Sequence, residues 1–476
     1  MYTFESIGSG LALNSNDEIS SFEGYSEAES HYIPSVDRVV ISTSYSDTSL
    51  VVVDVSGASI TDEIIKTGSD EIDGLNPVKQ TIVNSENNTI YTLSTIDSID
   101  NSRNGDNALV VFEYSNSNEL SRLQEIKFLS SNETSEPIYV SSMALSPEGK
   151  SLYVIGSTAV RGEPRMMAYD VNSDTGLLTK IQLSVQDFIA PTDAREIFSS
   201  SISPDGSFLY TASKNSDGQP FVTCFSRNIQ TGLLEELSSY YLNATYSGVH
   251  WSRQKPFMRF SKDGGDLYYF DKAFSLIAQF KRDIVTGELV AGEFLQDGDS
   301  DADGQLIEGL IEIADAAISS SGDYIYAVSD EIYARYNPFT GFYTNRVGIQ
   351  VFSVDQGTGR LVNTQIIKSG GTDASDKIFD SNFLKGGYRS LILSDDGKYL
   401  YAILGRPRIT SESIFGNAHG IDVFEINGSS GGLSFIQRLD DSYYGRGVSS
   451  LSSVKGTGYI LVSNERTDEI GLLEEK

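Results

Sequence analysis

The chain has 476 residues, 39% of them hydrophobic and 11% aromatic, which supplies a sizeable core and excludes a globally disordered polypeptide. Its 35 basic and 66 acidic residues leave a formal charge of −31, so nucleic acid and anionic membrane surfaces are repelled at long range. The lone Cys224 excludes an internal disulfide, and no stretch is apolar for long enough to insert in a membrane as a helix.

Taken in order, the chain repeats one unit of strand, tight turn, strand. Its clearest copy is Ser201-Ile202-Ser203-Pro204-Asp205-Gly206-Ser207-Phe208-Leu209-Tyr210. Apolar residues alternate on both sides of Pro-Asp-Gly, a sequence that fixes one φ and then tolerates a positive one. Second strands recur at Val39–Ser42, Ile90–Leu93, Leu152–Ile155, Leu209–Ala212, Leu267–Phe270, Ile325–Val328, Leu400–Ile403 and Tyr459–Val462. Third strands follow each of them, from Leu50–Val53 to Ile470–Leu473, and a Thr-Gly or Gly-Gly turn (Thr175-Gly176, Thr231-Gly232, Thr286-Gly287, Thr358-Gly359, Gly431-Gly432) leads into most fourth strands. Eight units of about 60 residues fit the blades of a single all-β propeller over 1–476, built from four-stranded antiparallel sheets, with seven blades as the alternative. The last unit breaks off after its third strand. Tyr2–Ile7 matches the fourth-strand pattern, so the expectation is that the N-terminal strand pairs into the C-terminal blade and hides its edge. No basic-then-apolar leader opens the sequence.

Ser-Pro-Asp-Gly-x-x-x-Leu-Tyr, with Phe-Ser-Arg-x-x-x-Thr-Gly-x-Leu one strand pair later, resembles the lactonase-type β-propeller family, which includes 6-phosphogluconolactonase-like and carboxymuconate-lactonizing members. The resemblance covers nearly the whole chain and is specific for fold, not activity. It implies arginine and histidine near the starts of first strands, holding a substrate carboxylate or phosphate and polarising a lactone carbonyl. Arg195, Arg259, Arg389 and Arg446 stand there, with Glu196 or Asp315 as a candidate base. The Pro-Arg-His signature of enzymatic members is altered here to Pro256-Phe257-Met258-Arg259. Only His31, His250 and His419 occur, and His250 is the best candidate for acid–base work.

Length irregularity falls between strands two and three, at 95–107, 158–164, 330–347 and 405–419. Variable loops on a rigid scaffold commonly carry function. Two of them are basic and aromatic: Arg335, Tyr336 and Arg346 in one, Arg406 and Arg408 in the other. They either line a site for a protein, carbohydrate or small anionic ligand, or pack onto the body and pair with nearby carboxylates. Asp299, Asp301 and Asp303, at alternate positions before Gly304, match the start of a Ca²⁺ loop. Leu310 occupies the position where an EF-hand has Glu, and the competing reading is a linker between blades.

The expectation from these features is a non-enzymatic binding or structural propeller, extracellular or on a cell surface. The alternative is a lactonase-like hydrolase with an arginine-lined site.

Overall fold

In the computed structural model the described residues are 29–33, 38–42, 49–54, 61–66, 78–94, 108–114, 120–128, 138–158, 163–181, 191–243, 256–301, 303–307, 310, 313–329, 347–368, 371–377, 379, 388–404, 420–440, 448–454, 459–464 and 469–474. They form an all-β, propeller-type fold with no helix among them. Eight sheets follow one another within 29–66, 78–127, 138–180, 196–241, 257–296, 313–368, 388–440 and 448–474. Each orders its strands as in the sequence, and all neighbours are antiparallel. Seven sheets have four strands, and the eighth has three among the described residues. Tyr2–Ile7, expected to complete it, lies outside the described residues.

The chain divides into two compact units. The first comprises Ile7–Asn243 and Ile284–Glu288 and holds sheets one to four. The second comprises Met1–Ser6, Ala244–Asp283 and Leu289–Lys476 and holds sheets five to eight.

The repeated turn closes as its residues require. Gly206 donates its N–H to the Ser203 carbonyl at φ +73°, a conformation that costs glycine little. The Ser203 hydroxyl accepts the Phe208 N–H and donates to Asp205, so a serine opens the turn because it caps the hairpin. Ser146, Ser261, Ser319 and Ser394 accept the corresponding N–H in their own turns.

Within the first unit, successive sheets are joined through the tyrosine of the second strand. Tyr91, Tyr153 and Tyr210 donate their hydroxyls to the carbonyls of Gly176, Gly232 and Gly287 at 3.0, 2.7 and 2.7 Å. All three rings are fully buried. The glycine is required because an added Cβ at Gly287 would sit 2.3 Å from the Phe208 ring. Arg227, the arginine of Phe-Ser-Arg, lies buried in sheet four and returns to sheet three. It donates to the Tyr153 hydroxyl and to Ser151 Oγ, and pairs with Glu148. Glutamine side chains add two-way ties to backbone: Gln80 to Met143 and Gln124 to Leu178 in this unit, Gln365 to Leu433 in the other.

The second unit departs from this scheme. Among the described residues the buried hydroxyls of Tyr268 and Tyr326 have no hydrogen-bond partner. Tyr324 instead reaches the Ser429 carbonyl, with Gly431 against its ring. Tyr153→Phe, which strands the Gly232 carbonyl and a guanidinium N–H, is expected to lower stability by about 1–3 kcal/mol. Tyr268→Phe and Tyr326→Phe remove unpaired hydroxyls and are expected to be neutral or stabilising. Urea midpoints compare the three, and equal losses in all would refute the assignment.

Candidate functional site

First strands carry the polar side chains that the sequence singles out. In six of them, those of sheets two, three, four, six, seven and eight, an extra residue interrupts the pairing with the second strand. Such bulges re-aim a side chain, and they put Phe198, Ala314 and Arg389 at equivalent unpaired places.

In the second unit three consecutive first strands are connected by side chains. Arg259 lies in Phe257–Phe260, Asp315 in Ile313–Ile318 and Ser390 in Tyr388–Leu393. A terminal nitrogen of Arg259 is 3.5 Å from Asp315 Oδ1, which also accepts the Ala316 N–H at 2.8 Å. Asp315 Oδ2 accepts the Ser390 hydroxyl at 2.8 Å and the Leu391 N–H at 3.2 Å. Four donors thus surround one carboxylate, which has about four lone-pair sites. The guanidinium lies over the Phe257 ring, 5.1 Å from its centroid, and Phe257 stacks on Phe270. Half of the Arg259 side chain remains exposed, so its outer N–H groups can meet an anion or a carbonyl oxygen.

The structure corrects the expected common position of the arginines. Arg259 pairs opposite Tyr268, as Ile392 does opposite Tyr401 and Ser201 opposite Tyr210, so it sits at the turn end of its strand and not at the start. Arg389 lies three residues before Ile392, in the bulge, and Arg195 six residues before Ser201, ahead of its strand. At about 3.3 Å per residue they differ in level by roughly 10 and 20 Å along their own strands. Arg195 and Glu196 are exposed in the first unit. Arg389 is half-buried beside Ser390 in the second. Phe257 and Met258 stand where the resemblance expects Arg and His, and Met258 is buried. His250, Arg335, Tyr336, Arg346, Arg406, Arg408 and Arg446 lie outside the described residues.

Asp299, Asp301 and Asp303 occupy a tight loop in which Asp301 is 6% exposed. Its Oδ1 accepts the N–H groups of Asp303 and Gln305, and its Oδ2 accepts that of Asn363 in the outer strand of sheet six. Asp299 accepts from the Gln296 N–H. Among the described residues no three Asp, Glu, His or Cys side chains are grouped to hold a metal. Asp373 repeats the arrangement one sheet later, accepting from Ser375, Lys377 and, in the outer strand of sheet seven, Phe435. Asp376, at φ +62°, stands where the first loop has Gly304 at +79°. Nothing in the sequence linked Asp-Ala-Asp-Gly-Gln with Asp-Ala-Ser-Asp-Lys, but the two carboxylates fasten linker to sheet in the same way.

A cleft of about 750 Å³ opens between sheets six and seven, lined by Tyr324, Thr364, Gln365, Asp373 and neighbours. Those four side chains are already bonded to Ser429, Val351, Leu433 and the Asp373 loop, so the cleft is a seam between sheets.

Burial works against the charge of Asp373, but hydrogen bonds led by Ser375 outweigh it and hold the carboxyl below its ordinary value. A depressed folded-state value contributes stability above the unfolded-state value, and that stability is lost as pH falls through the folded one. Asp373→Asn is therefore expected to flatten the acid limb of the stability–pH curve. Asp301→Ala and Asp373→Ala should each cost about 1–3 kcal/mol, equally with and without added Ca²⁺. Thermal melts check both, and a wild-type stabilisation by Ca²⁺ that Asp301→Ala abolishes would restore the cation loop.

Residues 105–251 match the family model described as Lactonase, 7-bladed beta-propeller. No curated protein matches. Among solved structures, a periplasmic gluconolactonase of Pseudomonas aeruginosa is 16% identical with a TM-score of 0.51, covering 85% of this chain and 96% of that one. Sqt1 of Chaetomium thermophilum is 10% identical with a TM-score of 0.52, covering 94% of each chain. At such identities the likeness is one of fold alone. The described residues form eight sheets, and the family description counts seven blades. Over residues 105–251, where turn, tyrosine and Phe-Ser-Arg follow one another, the chain is similar to the lactonase-type β-propeller family.

Proposed function

We propose that the chain is a lactonase-like hydrolase that receives an anionic lactone on the first strands of sheets five to seven. The observation that carries this reading is the half-exposed Arg259 guanidinium, held from one side by Asp315 and from below by the Phe257 ring. In lactone hydrolysis water adds to the carbonyl carbon, the ring C–O bond breaks, and a carboxylate and a hydroxyl result. Negative charge develops on the carbonyl oxygen, and a preorganised guanidinium stabilises it. Asp315, with four donors around it, serves as anchor for Arg259 and Ser390 and not as the base. The match over 105–251 supports the reaction class. An extracellular or periplasmic setting accords with the −31 charge and a single, buried cysteine.

A second reading, ligand binding without turnover, draws support from the same carboxylate. Its lone pairs are taken, and Phe257 and Met258 occupy the places of the signature Arg and His.

A screen of sugar lactones and their phosphorylated forms separates the two. Hydrolysis is expected, with kcat/KM lowered about 10²–10³-fold in Arg259→Gln and unaltered in Lys398→Gln, an exposed residue that pairs with its neighbour Asp396. Binding of a lactone without hydrolysis would select the second reading. Hydrolysis indifferent to Arg259→Gln would move the site elsewhere.

A further inference from the structure

The turns between third and fourth strands share one construction, and in sheet seven it is assembled on Asn427-Gly428. Asn427 donates its N–H to the Gly432 carbonyl, and its own carbonyl accepts from Gly431. Its side-chain Oδ1 accepts three hydrogen bonds: from the Ser429 N–H at 3.0 Å, the Ser429 hydroxyl at 2.7 Å and the Ser430 N–H at 3.2 Å. The ring closed by the bond from Ser429 N–H to Oδ1 contains the peptide nitrogen of Gly428. Residues 427–430 are exposed, and an added Cβ at Gly428 would meet nothing within 4 Å.

From this geometry we propose that Asn427 is a site of spontaneous deamidation in the folded protein. The Gly428 nitrogen, losing its proton, attacks Asn427 Cγ. The resulting charge falls on Oδ1, where three donors already point, as in an oxyanion hole. The side-chain nitrogen leaves as ammonia, giving a cyclic imide between residues 427 and 428. Water then opens the imide at either carbonyl, to aspartate or to isoaspartate. Aspartate fits the turn: Asp355 holds the equivalent place in sheet six and accepts from the N–H groups of Gly357 and Thr358. Isoaspartate lengthens the backbone by one carbon between 427 and 428 and breaks the geometry of the Gly431-to-Asn427 bond. Deamidation adds one negative charge and leaves the fold in place when the product is aspartate.

The molecule contains its own controls. Asn172 and Asn228 occupy the same position in sheets three and four, each with Oδ1 accepting two backbone N–H groups at 3.0 Å. They are followed by Ser173 and Ile229 instead of glycine. The side chain on the attacking residue hinders the approach of its nitrogen, most for the β-branched Ile229. Deamidation should therefore run Asn427 first, Asn172 next and Asn228 last, with the turn held constant.

The test is mass-spectrometric peptide mapping of the full chain incubated at mildly alkaline pH, folded and in urea. A gain of one mass unit is expected at Asn427 in the folded chain at least as fast as in urea. Asn172 should trail by about tenfold or more, a difference in activation free energy of about 1.4 kcal/mol. Gly428→Ala should slow the folded-state conversion by a similar factor, and Asn427→Asp should melt as wild type does. Conversion of Asn427 in urea but not in the folded chain, or equal rates at Asn427, Asn172 and Asn228, would overturn the proposal.

Discussion

A phenol hydroxyl reaching the carbonyl of a glycine in the next sheet is the contact on which the first unit's construction rests. It explains three features of the repeat together. Leu-Tyr recurs in the second strand because the tyrosine ring fills the space between sheets and its hydroxyl has a carbonyl to meet at Gly176, Gly232 or Gly287. Thr-Gly recurs because the turn lies against the preceding sheet, where Thr89, Ser151 and Phe208 leave no room for a side chain. The arginine of Phe-Ser-Arg is drawn in because a buried tyrosine oxygen can accept one more donor, and Arg227 supplies it while reaching Glu148. A buried arginine of this sort is costly without partners, and this one has four: Tyr153, Ser151, Glu148 and the Gly206 carbonyl.

That dependence shows in the places where the pattern lapses. In sheet five the residue opposite Tyr268 is Gln279, where sheet four has Cys224 opposite Tyr210. The Gln279 amide donates to Asp266 at 2.5 Å, and the turn glycine of the next sheet, Gly359, lies against it. Gly292, an odd residue for a strand interior, is there because the same side chain fills the volume its Cβ would take. Beside this amide the Tyr268 hydroxyl has no hydrogen-bond partner among the described residues.

Strand positions were legible in the sequence because pleated alternation and turn chemistry act within a few residues. All eight second strands and all eight third strands fall where the pattern sets them. Side-chain use was less legible because it depends on residues far along the chain. Asp301 reads as a cation ligand from its spacing alone, and the N–H it accepts from Asn363 comes from sixty-two positions later. Asp315 reads as a candidate base, and the Ser390 and Leu391 donors beside it come from about seventy-five positions later. The arginines looked equivalent because each stands near a first strand in the sequence. The pairing register separates them: Arg259 lies opposite the second-strand tyrosine, and Arg389 three residues before the position that does.

The acidic side chains show how one residue type is divided between support and chemistry. Asp301 and Asp373 give both oxygens to backbone N–H groups and are nearly inaccessible, so their work is complete within the fold. Asp315 also has every lone pair engaged, but one of its donors is a guanidinium whose far side faces outward. The charge of such a pair is only partly cancelled, because half of the arginine side chain stays exposed while the carboxylate is largely covered. A carboxylate buried deeper would fix the arginine more firmly and withdraw it from solvent; one more exposed would leave it mobile and screened. At one-fifth exposure for Asp315 and one-half for Arg259, the pair is rigid on the protein side and open on the other, which is the condition a binding arginine has to meet.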